Sequence, residues 1–447
     1  MNPQYSEYCE DWTTVFDCLR EQRVKKATTL YLRRTGGQSN YKKINNDDAP
    51  YLFYLDRARF PSLVSSAVTA LTGIAHRLPF DLQAPDRFIA MMSSITPSGE
   101  NLEELSRKIV RNNTLDGRYG LLSDVDGQGQ PSISTYSAKS IKDWRETLIG
   151  GRKVLTYVKL EEEVNKSDEY FKRDMQKQYR VLLLVKGFLE VTIYNESDEI
   201  VGEVLKPSKA SGDRLDYIPF IFVGSIDLTP SCDESPMYPL ARSALNIYKL
   251  DAVYMQSLYM TGEPTPVISG ATDVPTAIGS ATIWAISADA KAYYLEVSGA
   301  GIGAQRQEII DEYTRAAKIG GELAQGSSQA ESGEAIKLRM FSQHATLFSV
   351  AQVSGAGINQ ALKSCADIVG INPDEVEFMP NLDFTSSEIT EALITVFNNG
   401  VMAGTIAQSV LNNALRDGGH TEKTDEELAD EIEQDAVIAP VLDDEPR

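Results

Sequence analysis

The chain has 447 residues, enough for two or three domains or for one large multipart subunit with a sizeable core. Its apolar content of 42% is that of a folded protein, which excludes disorder over most of the length. The net charge of -21 argues against broad, tight binding to a nucleic-acid backbone. It leaves open a polyanion that passes nearby, because a repelling surface lets such a molecule slide without being held.

The cysteines are scattered and indicate reduced thiols. Cys9, Cys18, Cys232 and Cys365 form no CxxC pair and no dense framework, as is typical of a cytoplasmic protein. The first residues are polar and acidic and do not resemble a secretion signal. No apolar run approaches the roughly 18 residues needed to span a bilayer. We therefore expect a soluble protein with no membrane partner.

The first part of the chain, residues 1 to about 110, is predicted to be mainly helical. Trp12 and Val15 recur at helical spacing, and the apolar residues of 63–74 do the same. Residues 101–112 predict a further short helix, which turn residues end.

The pattern changes to that of strands over 118–225. Gly150-Gly151 lies between two β-type runs and predicts a hairpin, and Lys186-Gly187 predicts a second one. Pro219 places the last strand of this region at a sheet edge or a bulge. Helices followed by hairpins indicate an α+β fold.

A helix predicted over 239–260 is apolar on nearly every face. A soluble helix of this kind must be surrounded by protein, either inside the core of its own chain or between copies of the chain. Gly262 and Pro264 end it. The candidates for packing between subunits are Leu240, Leu245, Ile247, Tyr248, Tyr254, Met255, Leu258 and Tyr259.

Short β-type runs follow in 263–300. A second helix is predicted from near Gln305, with Ile309, Tyr313 and Ala316 on its apolar stripe. The run GAGIGA at 299–304 matches a dinucleotide-binding loop only superficially, and we interpret it as a flexible joint before that helix.

A Gly/Ser-rich break over 326–331 separates the second helix from a third one. The third helix is predicted to begin at Ser332 and to kink at Gly355 and Gly357. A strand-like run follows it, and helical sequence resumes near residue 389.

The tail from Thr421 onward holds eleven acidic residues against Lys423 and Arg447. We expect a solvated, disordered tail, with a partner-binding segment as the alternative.

No residue pattern predicts catalysis, a metal site or a cofactor. His76, His344 and His420 are far apart and make no metal-ligand spacing with the cysteines. A phosphate-cradling GxxxxGK[ST] loop and a GxSxG elbow are both missing from the sequence. The acidic run at 124–129 lacks the glutamate of a calcium loop and predicts a β-turn. The chain is expected not to be an enzyme.

Several short patterns, in this order along the chain, resemble an uncharacterised-domain family of tailed-bacteriophage portal proteins, and the likeness runs to about Gly404. They are Trp12, LDRARF at 55–60, LTG at 71–73, Leu78-Pro79, GRYGLLSD at 117–124, IKDWR at 141–145, RVLLL at 180–184, IPF at 218–220, PLARSALNIY at 239–248, PTPVISG at 264–270, VSGAG at 297–301, ESGEA at 331–335 and NLDF at 381–384.

The resemblance implies a portal-type subunit with an α/β wing, a two-helix stem, a small β-containing clip and a helical crown. The implied parts are an N-terminal wing at 1–238, a stem helix at 239–262, the clip at 263–300, a second stem helix at 301–325, a tunnel loop at 326–331, a long wing helix with a returning strand at 332–388, the crown at 389–420 and the acidic tail at 421–447.

The resemblance also implies a function. Portal proteins form a ring, usually of twelve subunits, at one capsid vertex, and double-stranded DNA is packaged and ejected through it. The implied partners are further copies of the chain, the DNA, the terminase large subunit, head-completion or tail adaptor proteins, and capsid and scaffolding proteins. The location would be the virion, with assembly in the host cytoplasm. The tunnel loop facing the DNA would be Gly326, Ser327, Ser328, Gln329, Ala330 and Glu331.

Two alternatives remain open from the sequence. One is another structural or connector protein of a virion, without a DNA channel. The other is a soluble enzyme whose active-site residues are dispersed along the chain. A concave pocket with converging titratable groups would favour the enzyme.

Overall fold

A computed structural model describes residues 2–127, 129–167, 171–262, 265–270, 289–295, 300–324, 345–382 and 384, with the isolated residues 409, 412, 423, 424, 427 and 428. The chain divides into two units, Met1–Leu382 and Asp383–Arg447. All the helices and strands named below lie in the first unit. The proposed crown at 389–420, the tail at 421–447 and the tunnel loop fall wholly or almost wholly outside the described residues.

The N-terminal part is helical, as predicted. Its helices are α1 (Pro3–Asp17), α2 (Glu21–Lys26), α3 (Gly36–Asn45), α4 (Ala49–Arg57), α5 (Leu63–Ala75), α6 (Asp86–Ala90) and α7 (Leu102–Asp116), and β1 (Asp81–Gln83) lies between α5 and α6. The helix predicted at 101–112 extends four residues further. Asn101 caps its first turn, since the Asn101 side chain accepts a hydrogen bond from the Glu104 N–H and the Glu104 carboxylate accepts one from Asn101.

Antiparallel strands follow α7 and form two sheets. They are β2 (Arg118–Val125), β3 (Pro131–Ser137), β4 (Ile141–Ile149), β5 (Arg152–Asn165), β6 (Met175–Val185), β7 (Phe188–Asn195) and β8 (Phe220–Gly224). The sheet orders are β3-β2-β8 and β4-β5-β6-β7. Both predicted hairpins are confirmed, because Gly150-Gly151 connects β4 to β5 and Lys186-Gly187 connects β6 to β7. The turn predicted at 124–129 is confirmed by a hydrogen bond from the Gly129 N–H to the Asp126 carbonyl.

A buried cluster joins α1 to the four-stranded sheet. Trp12 is fully buried there, and its indole N–H donates to the Asp116 carbonyl at 3.0 Å. Arg118 is also buried, with its guanidinium 4.2 Å from the ring centroid of Trp144. Burial lowers the pKa of Arg118 to about 10. The guanidinium donates to the carbonyls of Pro230 and Ser231 and so fixes the loop before the central helix.

A second buried cluster lies between α7, the three-stranded sheet and the long helix α10 (Ala345–Val369). Gly355 and Gly357, where a kink is predicted, have a packing role. Both glycines lie inside one continuous helix, where a Cβ on Gly355 would clash with Pro380 and one on Gly357 would lie 2.6 Å from Val223 Cγ2. They let α10 approach its neighbours closely.

The predicted returning strand is confirmed as β11 (Glu377–Met379), which pairs with β1. Among the residues described, the centre of the chain contains α8 (Tyr238–Gly262), β9 (Thr265–Ser269), β10 (Lys291–Leu295) and α9 (Ala300–Ala324). The expected start of α9 near Gln305 is therefore five residues too late. The flexible joint expected at 299–304 is wrong from Ala300 onward, since these residues already form the first turn of α9.

Together the helices and small antiparallel sheets confirm the α+β class.

Candidate functional site

The first half of α8 buries its apolar side chains within its own subunit. Helix α8 as a whole packs against α1, α4 and α5. Leu240 is 2% exposed, and Ile247 and Tyr248 are buried as well. The Tyr248 ring meets the Phe60 ring edge to face, with centroids 5.8 Å apart. The subunit therefore buries the apolar faces of this half, and the residues left exposed are polar: Arg242, Asn246 and Lys249.

The second half of α8 exposes apolar side chains to solvent. Val253 is 45% exposed, Leu258 is 39% exposed, and Tyr259 and Met260 are exposed to a similar degree. Several exposed apolar side chains within two turns of helix are typical of a surface that binds another molecule.

The eight residues expected to pack between subunits are divided between the first and the second half of α8. Leu240, Leu245, Ile247 and Tyr248 lie in the interior of the subunit, which leaves them no surface for a neighbouring copy. Tyr254 and Met255 are half-buried, and Leu258 and Tyr259 are exposed. Only these last four side chains remain candidates for contact with another copy.

Two arginines, one at the end of α4 and one just after it, contact α8 and hold it in place. The Arg57 guanidinium donates to Gln256 Oε1 at 2.8 Å and lies 4.0 Å from the centroid of the Tyr259 ring. The backbone N–H of Arg59 donates to Asp251 Oδ2, also at 2.8 Å. The direction of this half-helix is therefore fixed by polar contacts while its apolar side chains stay accessible.

Helix α9 packs along α8 through one stripe. The less exposed residues of this stripe follow a spacing of three and four, and they are Ile302, Gln305, Ile309, Glu312, Ala316 and Ile319. The stripe expected from the sequence shares Ile309 and Ala316 with it. The expected third member, Tyr313, lies at the edge of this stripe and is 43% exposed.

One carboxylate of α9 is buried in this pairing. Glu312 is almost inaccessible, and the Arg315 guanidinium donates to it at 2.8 Å and to Glu308 at 2.7 Å. The carboxylates of Glu308 and Glu312 raise the pKa of Arg315. Because Arg315 neutralises Glu312, the helix can bury this side chain against α8.

The chain reverses direction between the two helices. β9 follows α8 and pairs antiparallel with β10, which precedes α9. Asp251 and Tyr313 lie at similar distances along the chain from this hairpin. Partial burial, and then the charge of Asp251, raise the pKa of Tyr313, so the two residues are neighbours. Helices α8 and α9 therefore form an antiparallel pair with a small β-hairpin at one end.

A cavity of about 300 Å³ lies between α5, α7 and α10. No sequence pattern predicted it. His76 lines it. One imidazole nitrogen, Nδ1, is 3.0 Å from the Thr72 carbonyl, and the other, Nε2, is 3.2 Å from Ser106 Oγ. Burial lowers the pKa of His76, so the neutral imidazole is favoured.

This Ser–His contact is better explained as a structural link than as a catalytic pair. Ser106 is buried within α7, and the nearby Glu103 carboxylate accepts from Arg107. The hydrogen bond joins the end of α5 to α7. Elsewhere in the described ranges, no group of three or more His, Cys, Asp or Glu side chains is placed to hold a metal ion.

None of the described helices has both the length and the apolarity to cross a bilayer.

Residues 236–368 match a family described as a domain of unknown function, DUF4055. The matched segment begins just before α8 and includes the hairpin, α9 and most of α10. No curated protein matches the chain.

Solved structures of phage-like particles are among those similar to this chain. A chain from "Virion of native gene transfer agent (GTA) particle" is 11% identical, with a TM-score of 0.37, and the match covers 76% of this chain and 84% of that one. A chain from "Neck of empty GTA particle computed with C6 symmetry" is also 11% identical, with a TM-score of 0.40, and the match covers 78% of this chain and 87% of that one. A chain from "Neck of native GTA particle computed with C12 symmetry" is 11% identical, with a TM-score of 0.37, and the match covers 77% of this chain and 86% of that one.

These findings are consistent with the resemblance to phage portal proteins. Identities and TM-scores this low assign no function by themselves, and the function has to be argued from the chain's own residues.

Proposed function

We propose that this chain is a structural protein of a phage-type virion and, more specifically, a portal: a ring-forming, non-enzymatic conduit for double-stranded DNA at one capsid vertex. The observation that carries the proposal is the exposed half of α8. Its apolar side chains are partly exposed to solvent, whereas the residues exposed in the first half are polar, and a partner would remove these apolar side chains from water. Copies of the same chain around an axis supply that cover.

The arrangement of the central elements supports the proposal. The antiparallel pair α8 and α9, joined by the hairpin β9–β10, suits a stem with a clip at its end. In this account the clip at 263–300 docks the terminase large subunit during packaging, and head-completion or tail adaptor proteins afterwards. The body of the subunit, which includes 1–238 and 332–388, forms the wing that faces capsid and scaffolding proteins.

Charge also supports a conduit over a DNA-binding protein. The chain carries a net charge of -21, and a channel through which a polyanion moves must not hold it tightly. In this account the tunnel loop at 326–331 is short and mostly uncharged, and it is the segment that meets the DNA.

Sedimentation of the purified full chain tests the ring. We expect one large species of about twelve subunits that persists on dilution. A folded chain that stays monomeric at high concentration would contradict the proposal.

Deletion of 326–331 tests the channel assignment. We expect rings of unchanged size, with packaging or retention of DNA reduced in a particle-assembly assay. A deletion of equal length in the tail, such as 436–441, serves as the control and should leave both intact. If the loop deletion leaves packaging and retention unaffected, the tunnel-loop assignment is wrong.

A virion connector without a DNA channel is the alternative. It would assemble through the same exposed half of α8 but would show no open passage along its axis.

A further inference from the structure

A basic groove, called here the α8 groove, runs along the exposed side of α8. It consists of two neighbouring hollows of about 400 Å³ and about 220 Å³, and Tyr31 and Lys249 line both of them. Residues of α1, of α4 and of the segment 30–33 form its walls. Its floor is a stripe with a spacing of three and four residues, which lies on one face of the helix: Arg242, Asn246, Lys249 and Val253.

Three cations and no carboxylate line the α8 groove. The cations are Arg33, Arg242 and Lys249. All three are exposed, and none of them forms an ion pair with a residue in the described ranges. The nearby Asp17 carboxylate instead accepts a hydrogen bond from the Tyr31 hydroxyl at 2.8 Å. The subunit therefore leaves these three cations available to another molecule.

The charge of the α8 groove is opposite to that of the chain as a whole, which carries -21. Arg242 and Lys249 are seven residues apart, which is about 10 Å along the axis of a helix, so one extended segment can contact both. Opposite charges across a contact favour the encounter and select the partner. The α8 groove therefore suits a negatively charged occupant.

Apolar side chains at the α8 groove indicate that this occupant is a protein and not a nucleic-acid backbone. Leu30 is 68% exposed and Val253 is 45% exposed, and both line the groove beside Lys249. A phosphate backbone supplies negative charge but nothing that removes these side chains from water. An acidic protein surface supplies carboxylates and apolar cover together.

The position of the α8 groove indicates which protein supplies that surface. Val253 belongs both to the groove and to the exposed half of α8, to which the proposed function assigns the contact between copies. A copy that covers 253–260 therefore lies next to the groove. Because each copy has a net charge of -21, it also brings an excess of carboxylates to that contact.

We infer that the α8 groove receives a carboxylate-bearing surface of a second copy of this chain, with Arg33, Arg242 and Lys249 as its cationic contacts. This inference rests on the proposed ring and extends the interface from the exposed half of α8 along the groove. The three cations hold acidic subunits together at a point where their net charges would otherwise repel.

Carbodiimide cross-linking of the assembled full chain tests the contact, because this reagent joins an ammonium to a carboxylate only where the two touch. Rings are assembled from equal parts of chain with ordinary and with heavy nitrogen, so that mass spectrometry separates links between copies from links within one copy. We expect an amide between Lys249 Nζ and an Asp or Glu of another copy. Lys153, which is exposed on β5, is the control and should give no link between copies.

Charge reversal provides a second readout. Lys249→Glu is expected to raise the concentration for half-assembly at least about tenfold. The melting temperature of the dissociated subunit should stay unchanged, because Lys249 is exposed and has no ion pair within the described part of its own chain. Lys249→Arg keeps the charge but cannot form the amide, so it should assemble normally and lose the cross-link. Lys153→Glu should change neither assembly nor subunit stability.

The outcomes separate this inference from the proposed function. If rings form, but Lys249 links only within its own copy or not at all and Lys249→Glu assembles normally, the inference is wrong and the ring stands. Weaker binding of a short DNA duplex by Lys249→Glu rings, with assembly unchanged, would assign the α8 groove to a phosphate backbone and would also overturn the inference. If the wild-type chain forms no ring, the proposed function fails and this inference fails with it.

Discussion

The two halves of α8 have the same secondary structure and similar apolar content but very different surroundings. From Leu240 to Ala252 the apolar side chains are buried in the subunit, and the exposed residues, such as Arg242 and Lys249, are polar. From Val253 to Met260 several apolar side chains are 39–51% exposed. The first half stabilises one folded subunit, whereas the second half gains further stability when another molecule covers it. A single helix therefore serves both folding and assembly.

The buried half of this comparison is tested by shortening one side chain. Leu240→Ala leaves a cavity where the leucine is 2% exposed, and we expect the subunit to lose about 3 kcal/mol of unfolding free energy. Denaturant unfolding below the assembly concentration measures this loss. A loss under about 1 kcal/mol would mean that this half is not enclosed as described.

Glycines in α10 and α9 compare a helix packed in the body of the subunit with a helix of the α8–α9 pair. Gly357→Ala in α10 places a Cβ 2.6 Å from Val223 Cγ2, and we expect a loss of about 2 kcal/mol despite the better helix propensity of alanine. Gly303→Ala in α9 is the control, since nothing lies within 4 Å of its added Cβ. That variant should gain up to about 1 kcal/mol. Equal effects of the two substitutions on the melting temperature would contradict the contrast.

The partly buried carboxylate of Asp116, in the body, gives a pH dependence. Burial raises the pKa of Asp116 to about 7, whereas the unfolded chain releases that proton near 3.8. Between these values the folded state binds the extra proton, so this group makes stability fall as pH rises from about 4 to about 7. Asp116→Asn removes this cost, and we expect a gain of about 1–2 kcal/mol at pH 8 that disappears near pH 4.

Thermal unfolding of both proteins across this pH range measures the difference. Asp374→Asn, in an exposed turn, is the control. A gain from Asp116→Asn that does not depend on pH would contradict the buried carboxylate.

Shortening a side chain in the exposed half of α8 should have the smallest effect on the stability of the folded subunit. Leu258→Ala removes the same atoms as Leu240→Ala, but from a side chain that is 39% exposed. We expect less than about 0.5 kcal/mol in unfolding of the dissociated subunit. In the same variant the concentration for half-assembly should rise severalfold. A subunit stability loss as large as that of Leu240→Ala would remove the distinction between the two halves.

Local patterns were enough to predict most elements. The hairpins at Gly150-Gly151 and Lys186-Gly187 and the helix at 239–260 follow from turn chemistry and periodicity, which depend on neighbouring residues. The covering of α8 could not be predicted in this way. Leu240 and Leu258 look alike in the sequence, and only tertiary packing buries one and leaves the other 39% exposed.

Contacts between distant segments account for the other differences. The packing role of Gly355 and Gly357 was not predicted, because a helical glycine has no side chain to show what packs against it and the role depends on Pro380 and Val223. The contact of His76 with Ser106 joins residues thirty positions apart. A groove lined by Phe53 and Tyr259 forms where α4 packs on α8, so no single segment contains its signal.

The central claim is that copies of this chain cover the exposed half of α8 by standing around a common axis. Electron microscopy of the purified full chain, viewed down the particle axis, tests it most directly. The account predicts closed rings with an open central passage wide enough for a DNA duplex. Folded single subunits, or assemblies whose axis is filled by protein, would contradict it.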